Sequence, residues 1–120
     1  MMNNFLAYAA YGWMVFAGTA HFIADVVSQI LRDRRAAGTE TTLFYGLHSA
    51  FALGQTMFGL LALYMVWRGS QLVDEWPIRV LSLVAALCWL LIAVLFIEYW
   101  QPKAVAALLL VLMVARLVVR

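Results

Sequence analysis

The sequence predicts an all-α integral membrane protein, a four-helix bundle running up-down-up-down with antiparallel neighbours. Three observations carry this reading. Hydrophobic residues fill 67% of the 120 positions and charged residues only 12%, against ~45–50% and ~25% in a typical soluble domain. Three apolar runs exceed the ~20 residues that a bilayer-crossing helix requires, and a shorter fourth approaches it. The links between the runs are short, which favours antiparallel neighbours. Disorder, nucleic-acid binding and a water-soluble enzyme are excluded as leading readings.

The first span covers about residues 5–31, the second 43–67, the third 78–100 and the fourth 104–119, within a single transmembrane domain, 1–120. Backbone groups in lipid must be bonded within the segment, so these runs are expected to be helical. The period-two alternation of a membrane barrel is missing from the sequence. Residues 32–41, 68–77 and 101–103 are the expected connectors. Pro102 suits the first turn of a new helix. Trp67, Trp76, Tyr99 and Trp100 fall at span ends, where an aromatic belt places them. Arg116, near the end of the fourth span, is expected to reach outward to the interface. Asp74 and Glu75 are expected to be solvated in their connector.

Net charge is +2. The face bearing the first connector carries Arg32, Arg34, Arg35 and Lys103; the opposite face carries Arg68, Arg79, Arg116 and Arg120. This balance selects no orientation, although the denser Arg32–Arg35 cluster leans towards the cytoplasm. A dual-topology dimer shows such a tie, and so does chance in a small protein. The triple-arginine cluster also fits anionic lipid. The start, Met1-Met2-Asn3-Asn4, has no basic segment and precedes an overlong apolar run, so no cleaved signal is expected. The single cysteine, Cys88, allows neither an internal disulfide nor a cysteine-rich zinc site. The expected location is a bacterial inner membrane, crossed several times.

Ionisable groups inside a span are costly and require a reason. His21 and Asp25 stand four residues apart and share one helix face with Met14, Gly18 and Ser28. The second span has a matching stripe of His48, Ala52, Gln55, Gly59 and Ala62. Small residues beside polar ones are how membrane helices approach and hydrogen-bond. At a rise of ~1.5 Å per residue, Asp25 and His48 both lie roughly 10 Å from the first connector, with His21 near ~16 Å and Gln55 near ~20 Å. His21, Asp25 and His48 are therefore expected to meet in one pocket, with Gln55 deeper.

Three chemistries fit that pocket. A proton relay would use Asp25 to set the charge and tautomer of His21. A haem or metal site would use His21 and His48 as ligands, with Asp25 behind them. An acid–base site for a lipid-like substrate would use a desolvated Asp25 with His21. The plain alternative is a structural His21–Asp25 hydrogen bond, with His48 near the headgroups. Gln55 divides between interhelical bonding and ligand contact. Glu98 reads as an interfacial charge. Tyr8, Tyr11 and Trp13 read as interfacial or packing aromatics.

Gly18-Thr19-Ala20-His21 in the first span, and Gly46, Leu53-Gly54 and Phe58-Gly59 in the second, resemble a group of small bacterial four-helix membrane proteins of unassigned function. The resemblance covers about the first half of the chain. That group has Asn where His48 stands and His where Phe51 stands, so its second histidine is displaced here. The resemblance implies the fold and no activity. More loosely, His21-Phe22-Ile23-Ala24-Asp25 is similar to the His-x-x-x-Asp of the cytochrome b anchor subunits of succinate dehydrogenase, which implies a haem-ligating role for His21. Small multidrug-resistance transporters match in length and span number, but they depend on a first-span glutamate that this chain lacks.

The sequence points to a membrane module that binds haem b, a divalent metal or a hydrophobic small molecule. His21, His48, Asp25 and Gln55 are the expected cofactor-binding residues, with His21 and His48 as metal ligands. His21 and Asp25 are also the candidates for any catalysis. A small proton-coupled transporter, a membrane enzyme acting on a lipid or isoprenoid, and an accessory subunit are the alternatives. The expected partners are the bilayer and a homodimer mate or a larger membrane complex.

Overall fold

Helices account for the architecture of the computed structural model, which describes residues 2–119. In chain order these are α1 (Met2–Phe22), a π-helical segment (Ile23–Val27), α2 (Ser28–Leu31), α3 (Thr39–Arg68), α4 (Ser70–Asp74), α5 (Trp76–Phe96) and α6 (Trp100–Val118). Four helical stretches are long and apolar enough to cross a membrane: Asn3–Leu31, Thr39–Arg68, Trp76–Phe96 and Trp100–Val118. They pack as an all-α four-helix bundle, with α1 against α3 and α6, and α5 against α6.

The bundle is held by small residues inside and large apolar residues outside. Ala7, Ala10, Met14, Ala62 and Ala86 are buried, whereas Leu43, Leu53, Leu61 and Leu95 are exposed. Lipid tails are as apolar as leucine, so close packing rather than hydrophobicity brings such helices together. Gly18 and Gly59 set the α1–α3 spacing. A Cβ on Gly18 would lie 2.8 Å from the Ala52 carbonyl oxygen, and one on Gly59 would lie 2.9 Å from the Tyr11 carbonyl oxygen. Farther round the bundle, α3 meets α5 through Trp89, whose ring packs edge-on against Phe58 and touches the Gly54 position.

The structure corrects three sequence expectations. First, α5 ends at Phe96, and α6 starts at Trp100 rather than 104. The connector is thus 97–99, and Gln101, Pro102 and Lys103 lie in the first turn of α6. Pro102 fits there because the first four N–H groups of a helix have no intrahelical partner. Second, Arg116 does not reach outward: it is 3% exposed. It donates to the Tyr11 hydroxyl at 2.9 Å, to the Val73 carbonyl at 3.3 Å and to Asp74 at 3.0 Å. Third, Asp74 is an acceptor in this network, not a solvated loop charge. It also receives the Asn3 amide at 3.0 Å and pairs with Arg79 at 3.3 Å. The inward turn gives both terminal nitrogens of Arg116 partners because α4 folds a carboxylate and a carbonyl back over the end of the bundle, while Arg116 Nε is left without one.

The first span also departs from a uniform helix. The Ser28 amide donates to the Ile23 carbonyl, five residues back, and the Ser28 hydroxyl donates to the Ala24 carbonyl at 2.6 Å. The hydroxyl therefore takes the acceptor that the amide would use in an α-helix. Single π turns of this kind are frequent at functional sites, and this one contains Asp25.

Candidate functional site

His21 projects from the last turn of α1, Asp25 from the π turn and His48 from α3. The close approach at Gly18, one turn before His21, brings the two helix faces within side-chain reach. His21 Nδ1 lies 3.0 Å from Asp25 Oδ2. On its other side, His21 Nε2 lies 2.9 Å from His48 Nδ1. The three groups form one unbroken chain of contacts across two spans. Their ligand-type atoms all lie within 4.8 Å of one another. His21 and Asp25 are 9% and 8% exposed.

Among neutral imidazoles, one pair of tautomers satisfies both contacts. The Nδ1–H of His48 donates to Nε2 of His21, and the Nδ1–H of His21 donates to the Asp25 carboxylate. Both imidazoles are then neutral and the group carries one negative charge. Aromatic side chains hold the rings in place. The His21 and His48 rings stack at 5.0 Å and 15°, Phe51 lies 5.0 Å from His21, and Phe44 lies 4.1 Å from His48.

Two hollows flank the chain. The first has a volume of about 450 Å³ and lies between α1, α3 and the start of α6, open on one side. Its walls include Phe16, Phe51 and Tyr99, and its polar groups are His21, Asp25, Gln55 and Gln101. The second, of about 500 Å³, opens between α3 and the end of α5, beside Arg35, His48 and Glu98. Phe51 belongs to both walls. Gln55 is 3% exposed and faces the first cavity, two helical turns along α3 from His48. Glu98 is exposed and stands at the second cleft, away from Asp25.

Tyr99 and Gln101 are the site residues that sequence reasoning missed. Tyr99 had the signature of an interfacial aromatic, and only the early end of α5 turns it towards the cavity. Burial, then the neighbouring Asp25 carboxylate, push the Tyr99 phenol above its usual range. Its hydroxyl accordingly stays protonated and available as a donor.

The spacing of the two histidines bears on what they can hold. Axial ligation of one haem iron separates the two nitrogens by about 4 Å, twice a ~2.0 Å metal–nitrogen bond, and inserts a macrocycle between the rings. His21 and His48 are in direct contact and stacked, which leaves no such space in this arrangement. A tetrahedral metal ion is less demanding, because two imidazole nitrogens on it stand only about 3.3 Å apart. His21 and His48 would hold it, with Asp25 as a third ligand or as the partner of His21 Nδ1.

No family model, curated protein or solved structure matches this chain.

Proposed function

We propose that this membrane protein handles protons through a His48–His21–Asp25 relay that joins its two hollows. The observation that carries the reading is the chain of 2.9 Å and 3.0 Å contacts linking ionisable groups on two different spans. Groups of this kind inside a membrane commonly form proton pathways. A proton arriving from the second cleft adds to Nε2 of His48. The Nδ1 proton of His48 passes to Nε2 of His21, and the Nδ1 proton of His21 passes to Asp25. The carboxylate becomes a neutral acid, both imidazoles remain neutral and the net charge rises from −1 to 0.

The test is a pH-jump experiment on the purified protein, read by the infrared carbonyl band of protonated Asp25. Asp25→Asn identifies the band. His48→Gln should slow its appearance about a hundredfold, the scale of a positioned proton-transfer group. An unchanged rate in His48→Gln would overturn the relay.

A divalent-metal site is the second reading, favoured by the 4.8 Å grouping of the three donor atoms. Zinc binding at one ion per chain, lost in His48→Gln, would support it. Absence of binding after incubation with zinc would remove it. Haem binding would require the two stacked rings to separate, which makes it the weakest fit of the three.

A further inference from the structure

We infer that the 450 Å³ cavity is a binding site for a lipophilic monocation, an aromatic or alkyl-aromatic ammonium, with Asp25 as its counter-ion. This goes beyond the proton-relay reading by naming a ligand for the cavity that Asp25 lines, and it rests on the geometry of that cavity.

Among the described residues, Asp25 is the one acidic residue in the cavity wall, and no lysine or arginine lines it. With both imidazoles neutral, the carboxylate is an uncompensated anion in a low-dielectric setting. Buried charges are costly unless paired. A cation entering the cavity would be such a partner.

The remainder of the wall suits such a cation. Phe16, Phe51 and Tyr99 offer aromatic rings, which attract ammonium groups through their faces. Ala17, Ala20 and Ala24 keep the space open on the α1 side. Gln55 is buried at the deep end, and its amide makes no side-chain hydrogen bond among the described residues. Its carbonyl is therefore free to face a cationic head. The volume lies within the ~300–1,000 Å³ range of small-molecule sites. The second cleft lacks this character because Arg35 lines it.

Three groups surround Asp25. His21 stands on its own span, His48 comes from α3 and Tyr99 from the link before α6, with Arg35 beyond them at the second cleft.

The test uses the full chain in lipid nanodiscs, with empty nanodiscs as baseline. Benzyltrimethylammonium is titrated beside neopentylbenzene, its neutral isostere. The cation should bind at least about tenfold tighter, a difference of ~1.4 kcal/mol. Asp25→Asn should remove the preference for charge. Equal binding of both probes by the unmodified chain would overturn the proposal, and so would a preference retained in Asp25→Asn. The probe comparison on the unmodified chain does not depend on any variant folding. His48→Gln keeps the two readings apart. It should slow protonation of Asp25 yet leave the cation preference intact at high pH. Slowed protonation with no charge preference leaves the relay standing alone.

Discussion

Replacing Gly18 by alanine should open the site without touching any of its polar groups. A Cβ at this position would stand 2.5 Å from Thr56 Oγ1, 2.8 Å from the Ala52 carbonyl oxygen and 2.9 Å from the Thr56 amide nitrogen. The threonine hydroxyl can rotate away, but the two backbone atoms move only with α3. Relief to ordinary contact requires about 0.6 Å of separation at Ala52. Ala52 lies one helical turn from His48, and Gly18 lies three residues from His21. The same displacement therefore lengthens the 2.9 Å His21–His48 contact to about 3.5 Å, beyond an effective hydrogen bond. Overpacking of this kind costs roughly 1–3 kcal/mol. Gly18→Ala should thus lower the thermal midpoint in detergent and slow the pH-jump protonation of Asp25 together. Gly12→Ala and Gly46→Ala meet nothing within 4 Å and serve as controls. Wild-type stability in Gly18→Ala would refute the packing argument. Reduced stability with an unchanged proton rate would refute the link from packing to relay.

Three more outcomes follow from the geometry. Asp74→Asn leaves the Arg116 cation buried with only Tyr11 and a carbonyl beside it. Breaking a fully buried pair costs ~3–5 kcal/mol, and the 27% exposure of the Asp74 side chain lowers the expectation to about 2 kcal/mol in reversible unfolding. Tyr99, raised above its reference value of 10.0, keeps its proton when the unfolded chain has lost it. The unfolded state then binds fewer protons, so stability falls as pH rises above 10; Tyr99→Phe should flatten that alkaline slope in unfolding experiments. Ser28→Ala removes the hydroxyl that occupies the Ala24 carbonyl. It should cost about 1 kcal/mol, and it should alter the Asp25 infrared band by letting the π turn tighten.

Much of the site was legible because helix periodicity is strict. Met14, Gly18, His21 and Asp25 on one stripe, and Ala52, Gln55, Gly59 and Ala62 on another, follow from three- and four-residue spacing. The structure buries these residues and leaves the other two members of the predicted stripes, Ser28 and His48, half-buried. What spacing alone misses is where a helix stops. Nothing in the apolar run through Ile97 marks the end of α5, so Tyr99 read as a belt residue and Gln101 as a loop. The π turn was hidden because it depends on one hydroxyl competing with one amide for a carbonyl. Arg116 was misplaced for a different reason. A cation near a span end usually reaches water, and only the fold of α4 supplies it with Asp74 and the Val73 carbonyl inside the bundle.

The two carboxylates that turn inward show why one end of the bundle is a lock and the other a site. Asp74 receives Asn3 from α1, Arg79 from α5 and Arg116 from α6. Its charge is more than balanced, and its partners come from three separate spans, so moving any of those helices breaks a bond. That arrangement favours one rigid geometry. Asp25 is bound differently. It shares one imidazole contact within its own span, its helix is locally unwound, and its open side faces an apolar cavity. Its charge is left to be balanced by something mobile. A bundle fixed at the Asp74 end can alter its spacing at the Asp25 end at lower cost. The cation site inferred above would draw on that division of labour.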